Sequence, residues 1–159
     1  MLSEQVRTKI TQLKERYPQA RSALLPALHL AQREHDGWLS DELMVEVAEV
    51  MGLPSAEVRS VASFYTMLNR RPVGKYLVQV CTNLSCSLLG AEHIVEHLKR
   101  ALGIKVGETT PDGLFTLLEV ECLGSCGTAP MMQINDTYHE NLTTERIDEI
   151  LNRLAESEG

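Results

Sequence analysis

The sequence predicts a chain in two parts, a small all-α helical bundle over residues 1–72 and an α/β domain over residues 73–159. In the first part, apolar residues recur at helical spacing between Ser, Pro and Gly residues that start and stop helices. The second part contains short segments rich in β-branched and aromatic residues, which are typical of strands. The basic stretch "NRRPVGK", residues 69–75, lies where the pattern changes and has the Pro and Gly of a link.

Four short helices are predicted in the first part. The fourth starts at Pro54, because proline suits the first turn of a helix. Each of the other three starts after a serine whose side chain can accept a free N–H of the first turn, and ends at a Pro or Gly. The predicted caps and stops are Ser3, Ser22 and Ser40, and Pro18, Gly37 and Gly52. Four short helices with tight links form a small bundle.

The second part is predicted to have the order strand, helix, strand, hairpin, helix. The predicted ranges are 75–80, 87–103, 114–121, 131–140 with its turn at Asn135-Asp136, and 144–159 with Thr143 as cap. The connection over residues 81–113 is long enough to return the second strand parallel to the first by a right-handed path. This order predicts an α/β sandwich built on one βαβ unit.

All four cysteines lie in two short stretches, "CTNLSC" and "CLGSC". Cys81 and Cys86 form a C-x4-C pair after the first predicted strand, and Cys122 and Cys126 form a C-x3-C pair after the second. Because parallel strands end at the same edge of a sheet, where ligand sites of open α/β sheets gather, the two pairs should meet in space.

Four thiols in one place favour one of three kinds of site. A structural zinc site accepts such spacings but usually uses C-x2-C knuckles. A redox-active disulfide favours C-x-x-C, which is absent here. A binuclear iron–sulfur cluster is held by four thiolates, and C-x4-C is among its known spacings. The small residues around the cysteines, such as Gly124 and Gly127, favour the cluster, since they let backbone N–H groups approach the sulfurs.

Composition and charge exclude several classes of function. The net charge is −7, and the whole excess lies in the second part, which has six basic and thirteen acidic side chains. A phosphate backbone requires a basic face, so we expect no nucleic acid as a partner. No apolar run approaches the roughly 20 residues of a membrane helix, and the start does not have the pattern of a secretory signal. A reducing cytoplasmic location is therefore expected, in which four cysteines are metal ligands or redox groups.

The chain resembles the family of thioredoxin-like [2Fe–2S] subunits in the NADH dehydrogenase module of respiratory complex I, the E-type subunits of bacterial NADH-quinone oxidoreductase. The residues that carry the resemblance are "VASFYTMLNRRPVGKYLVQVCTNLSCSLLGAE", "TPDGLF" and "VECLGSCGTAPMMQIND". The resemblance implies a mixed four-stranded thioredoxin-like sheet in a ferredoxin domain. It also implies that Cys81, Cys86, Cys122 and Cys126 are the cluster ligands, two per iron.

The resemblance implies a role in electron transfer within an NADH-oxidising complex of a bacterial respiratory chain, with no substrate chemistry and no catalytic residue in this chain. The expected partner is a flavoprotein subunit that binds NADH and FMN and contains a [4Fe–4S] cluster, together with other subunits of the complex. The chain itself would not insert into the membrane but would lie at the inner membrane through the complex. The alternatives are the equivalent diaphorase subunit of an NAD-linked hydrogenase or formate dehydrogenase, a zinc-stabilised interaction module, and a free-standing thiol oxidoreductase.

Several other features have simpler interpretations. "HIVEH", residues 93–97, matches a zinc peptidase pattern, but His93 and His97 are expected on a solvated helix face. Trp38, Phe64 and Tyr65 are expected in the core of the helical part. Gly90 is expected inside the helix over 87–103. Pro130 precedes the third strand, and the sequence does not determine whether its peptide bond is cis or trans.

Overall fold

The computed structural model describes residues 1–157, which form two compact units. The first unit is Met1–Val73 and the second starts at Gly74. Within residues 1–157, no helix is both long enough and apolar enough to cross a membrane.

The first unit consists of four helices, as the periodicity predicts. They are α1 (Glu4–Glu15), α2 (Leu24–Glu34), α3 (Asp41–Met51) and α4 (Ser55–Phe64), with a 3-10 turn at Ala20–Ala23 before α2. Ser3 and Ser40 cap α1 and α3 through hydrogen bonds of 3.3 Å from the N–H of Val6 and 3.1 Å from the N–H of Leu43. The fully buried side chains include Ile10, Leu28 and Val47, one from each of α1, α2 and α3.

Three predictions for the first unit are wrong. Ser22 does not cap α2, because it lies inside the 3-10 turn and Ala23 occupies the cap position. Phe64 is not core, since 77% of its surface is exposed. The buried residues of α4 are Val58 and Ala62, and a residue two positions after Ala62 points to the opposite side of the helix. Tyr65 is also exposed and Trp38 is half-buried.

The second unit contains a mixed four-stranded sheet in the order β2-β1-β3-β4. The strands are β1 (Tyr76–Cys81), β2 (Phe115–Val120), β3 (Met132–Ile134) and β4 (Thr137–His139). β1 pairs in parallel with β2 and antiparallel with β3, and β3 and β4 form the predicted hairpin. The predicted α/β class and mixed four-stranded sheet are therefore confirmed.

Three helices connect or follow the strands: α5 (Leu84–Leu88), α6 (Ala91–Leu102) and α7 (Thr144–Glu156). α6 and α7 pack in one apolar core with the sheet, to which they contribute Ile94, Val95, Leu98, Ile147, Ile150 and Leu151. Thr143 caps α7 as predicted, through a hydrogen bond of 3.3 Å from the N–H of Arg146. The predicted closing helix extends to Gly159, and its last two residues lie outside the described residues.

The single helix predicted over 87–103 is wrong, because two helices, α5 and α6, cover this region. Asn83 caps α5 by accepting a 2.8 Å hydrogen bond from the N–H of Leu84, which starts the helix three residues early. Gly90 then has φ of +93° and is the cap residue of α6. This left-handed conformation is available to glycine at little cost, and it separates the two helices. Cys86 therefore lies within α5 and does not open a helix.

The outer edge of β2 is paired with the chain that precedes it. The N–H of Gly107 donates to the carbonyl of Leu117 at 2.7 Å, and the N–H of Leu117 donates to the carbonyl of Glu108 at 3.1 Å. Thr109 bridges to Thr116 in the same antiparallel arrangement. The first half of β2 thus has backbone partners on both sides.

Ser22 and Ser40 are both predicted to cap helices, but in the structure only Ser40 does, so replacing them should change stability by different amounts. Replacing Ser40 with Ala should lower the free energy of unfolding by about 1 kcal/mol, because the N–H of Leu43 loses its acceptor. Ser22→Ala is the matched control and should change it by less than about 0.5 kcal/mol. Urea unfolding followed by circular dichroism measures both. Equal losses for the two variants would contradict the cap assignments.

Candidate metal centre

The two cysteine pairs leave the sheet at one edge. Cys81 is the last residue of β1, and the parallel register places it opposite Val120, the last residue of β2. Cys86 follows in α5, and Cys122 and Cys126 lie in the loop after β2, with Cys126 opening a 3-10 turn. The common direction of β1 and β2 thus brings both loops together.

The four thiols form one connected group. The Cys81 thiol lies within hydrogen-bonding reach of the thiols of Cys86 and Cys122. The Cys86 thiol is influenced by the charges of Cys81 and Cys126. The structure therefore places both predicted cysteine pairs at one edge of the sheet, while their role as metal ligands stays a prediction.

The group has a buried half and an open half. The exposed fractions of Cys81 and Cys86 are 3% and 2%, and both pack with Ala91 and Met131 in a small apolar cluster. Cys122 and Cys126 are exposed. Two of the four thiols are therefore fixed by the core of the unit, and the other two depend on their loop.

Burial and hydrogen bonds separate the pKa values of the two buried thiols. Burial raises the pKa of Cys81, but the backbone N–H groups of Asn83 and Leu123, aided by the neighbouring thiols, lower it below its ordinary value. Burial, followed by the hydrogen bond and charge of Cys81, raises the pKa of Cys86 to about 11, against one favourable N–H from Met131. A metal that binds Cys86 must displace its proton, because the thiolate and not the thiol is the metal ligand.

Backbone N–H groups point at the sulfurs from three separate segments. Asn83 and Leu123 donate toward Cys81, and Met131 donates toward Cys86. Gly124 donates to the Sγ of Cys122 at 3.4 Å and has φ of +75°, a conformation that favours glycine. Such donors stabilise thiolates and sulfur-rich anions.

The donor set fits a binuclear iron–sulfur cluster. Four thiols and four N–H donors to sulfur match the ligands and surroundings that such a cluster uses. Among residues 1–157, no three His, Cys, Asp or Glu side chains are grouped around one position for a single ion. A binuclear cluster takes two thiolates at each iron, and this chain supplies one pair of cysteines from each of two loops.

The cysteine loop after β2 is held by side chains that sequence reasoning missed. The hydroxyl of Tyr138 donates to the carbonyl of Leu123 at 2.7 Å. The hydroxyls of Ser125 and Thr128 both donate to Oε1 of Glu140. These contacts join β4 and its exit to a loop more than ten positions away, and no spacing rule in the sequence indicates them.

The remaining predicted features have separate outcomes. His93 is exposed as expected, but His97 is half-buried and its Nε2 lies 2.7 Å from a carboxylate oxygen of Asp148 in α7. Only the first of these histidines therefore lies on a solvated face. The Ala129–Pro130 peptide bond is cis.

Comparisons with known proteins agree on one family. The family model described as thioredoxin-like [2Fe–2S] ferredoxin matches residues 10–155. The chain is 46% identical over 153 residues to the second E-type subunit of NADH-quinone oxidoreductase from Rhizobium meliloti (strain 1021), covering 96% of this chain and 90% of the relative. It is 47% identical over 148 residues to the mitochondrial NADH dehydrogenase [ubiquinone] flavoprotein 2 of Dictyostelium discoideum, covering 92% of this chain and 60% of that relative.

A solved structure shows a similar architecture within a larger chain. The crystal structure of an NAD+-reducing [NiFe]-hydrogenase in the air-oxidised state matches with a TM-score of 0.72 and 26% identity. The match covers 84% of this chain and 23% of the hydrogenase chain. This chain thus corresponds to one segment of that protein.

The order in which the four thiols react should follow their burial and charge state. In reduced apoprotein at pH 8, iodoacetamide should label Cys122 and Cys126 first, because they are exposed. Cys86 should react at least about tenfold more slowly, since it is buried and its raised pKa keeps it protonated. Mass spectrometry of peptides gives the rates. Labelling of Cys86 as fast as Cys126 would contradict the described geometry.

Proposed function

The chain belongs to the thioredoxin-like [2Fe–2S] ferredoxin family, and from this membership we propose that it is an electron-transfer subunit of an NADH:quinone oxidoreductase. The resemblance inferred from the sequence is confirmed, as is a [2Fe–2S] cluster as the cofactor of this family. The observation that supports the proposal is the group of four thiols where β1 and β2 end, in a chain 46% identical to an NADH-quinone oxidoreductase subunit.

We assign Cys81, Cys86, Cys122 and Cys126 as the ligands, two for each iron. When bound, a [2Fe–2S] cluster supplies one-electron transfer. The residues of this chain would hold the cluster, with Cys81 and Cys86 on its buried side and backbone N–H donors at their sulfurs. These tasks involve no substrate bond, so the oxidation of NADH takes place in another subunit.

The proposed partner is the flavoprotein subunit that binds NADH and FMN, carries a [4Fe–4S] cluster and belongs to the same complex. Leu84, Leu88 and Leu89 of α5 and its end are 70%, 78% and 59% exposed, beside the buried Cys86. Three exposed leucines around one short helix are typical of an interface. Electron exchange requires the flavin to lie near the cluster, and a partner bound at this region would lie beside Cys86, so we assign the α5 leucines to that contact.

The helical unit offers a second apolar surface for the same partner. Phe64, Tyr65 and Met67 are exposed at and after the end of α4. Aromatic residues and methionine are enriched at protein interfaces. The chain would thereby be held at the inner membrane through the complex, on its cytoplasmic side.

The structural likeness to an NAD+-reducing hydrogenase favours one second assignment. In that case this chain would serve as the corresponding subunit of an NAD-linked diaphorase. The cluster and its ligands would be the same, but electrons would come from another donor and would reduce NAD+ instead of being taken from NADH.

Anaerobically purified protein should be reddish-brown and contain about two irons and two labile sulfides per chain. Cys86→Ser should remove most of the iron and the colour, because a buried ligand is lost. Ser87→Ala, the neighbouring substitution, should retain both. Iron and sulfide assays with visible spectroscopy measure this. One zinc per chain and no colour would instead support a zinc-stabilised module, and a reversible disulfide without metal would support a thiol oxidoreductase.

The double substitution Leu84→Ser and Leu88→Ser should weaken binding to the flavoprotein subunit at least about tenfold, because two exposed apolar contacts are lost. The cluster content should not change. Val106→Ser, which alters an exposed apolar residue in the loop before β2, is the control. Co-purification of untagged partners with tagged chain, followed by titration, measures the effect. Full binding by the double variant would contradict the assignment of the α5 leucines.

A further inference from the structure

The segment after β3 runs back along the loop that carries the second cysteine pair. We call residues 138–142 the return segment. Besides the contacts of Tyr138 and Glu140, the N–H of Asn141 donates to the carbonyl of Thr128 at 2.8 Å. The N–H of Leu142 donates to the carbonyl of Pro130 at 2.9 Å. The return segment is therefore bound to the loop from Leu123 to Pro130.

Glu140 contacts residues on both sides of Cys126. Its Oε1 accepts from Ser125, the residue before Cys126, and from Thr128, two residues after it. The Thr128 contact measures 2.7 Å, and the N–H of Thr128 also closes the 3-10 turn onto the carbonyl of Ser125 at 3.1 Å. One carboxylate oxygen thus joins both ends of the turn that presents Cys126. These two hydroxyls are the main reason that the pKa of Glu140 lies below its ordinary value.

The loop that contains Cys122 and Cys126 needs a contact such as that of Glu140 more than the half of the site that contains Cys81 and Cys86. Cys81 and Cys86 are buried, so packing fixes their thiols. Cys126 is exposed, with Gly127 next to it and Gly124 two residues before it. Glycine permits many backbone conformations, so many are open to this loop unless other groups hold it. Hydrogen bonds to a charged acceptor are stronger than those to a neutral acceptor, so a carboxylate stabilises this turn effectively.

We propose that Glu140 is a positioning residue that holds the Cys126 turn in the geometry required for cluster binding. The proposal rests on the assignment of Cys126 as a ligand. Glu140 acts through Ser125 and Thr128 and does not itself contact the cluster. Glu140 therefore keeps the loop ordered, helps to retain the cluster and keeps the surroundings of the cluster uniform.

The test compares Glu140→Ala with Glu140→Gln, because a glutamine oxygen can still accept both hydroxyls without the charge. In apoprotein, Glu140→Ala should speed hydrogen exchange of peptide 122–128 at least about tenfold, because the hydrogen bonds of Ser125 and Thr128 to the charged carboxylate are both lost. In reconstituted protein it should speed loss of the cluster to a chelator by a similar factor. It should also broaden the electron paramagnetic resonance signal of the reduced cluster. Glu140→Gln should restore all three values to within about threefold.

Two further variants control for folding and for charge. Thr128→Val removes one partner of Glu140 and should reproduce part of the effect of Glu140→Ala, and the double variant should be less than additive. Glu156→Ala removes the same charge from the last turn of α7. Ser157, the next residue, lies 3.1 Å from Tyr76 at the start of β1. Cys81 is at the opposite end of β1 from Tyr76, so Glu156→Ala should change nothing at the cluster.

The outcomes separate this proposal from the proposed function. Normal exchange and cluster retention in Glu140→Ala, or an equal loss in Glu140→Gln, would overturn the positioning role. If Glu140→Ala fails to fold, the same readouts on Thr128→Val and Glu140→Gln decide it. If wild-type protein binds no iron and sulfide, the proposed function fails, while the exchange experiment still tests whether Glu140 orders the loop.

Discussion

The parallel pairing of β1 with β2 is the constraint on which the second unit depends. The two strands end together because Cys81 lies opposite Val120. Both cysteine loops then leave the same edge of the sheet, although α5, α6 and β2 separate them in the chain. A slip of one residue in this pairing would turn Val78 and Val80 out of the core and move Cys81 to the other face. The packing of the core therefore specifies the metal centre.

The two halves of the centre are held by different forces. Apolar packing against Ala91 and Met131 fixes the half that contains Cys81 and Cys86. Hydrogen bonds across the surface hold the loop of Cys122 and Cys126. The buried half excludes water from the sulfurs of Cys81 and Cys86, and the other half leaves Cys122 and Cys126 open to solvent. This difference in burial suits the family to which the chain belongs, because the cluster of an electron carrier must be shielded from water and still be accessible to a partner.

Local signals in the sequence predict much of this structure. The caps Ser3, Ser40 and Thr143 are recognised because each side chain bonds to a backbone group three residues away. The order of the strands and the meeting of the cysteines follow from chain connectivity. Periodicity alone misplaces Ser22, Phe64 and Gly90, because a 3-10 turn, the early end of α4 and a left-handed residue compete with it. The contacts of Glu140 join distant residues in irregular segments, so neither propensity nor spacing predicts them.

The pairing of residues 107–109 along β2 has a consequence for assembly. A sheet with an open, unpaired border can recruit a strand from another molecule and grow into aggregates. Here the backbone of Gly107 and Glu108 already occupies that border at Leu117, and the opposite border is β4, only three residues long. Both rims are thus poor templates for extension. A strand from another molecule would therefore find few unpaired backbone groups along this sheet.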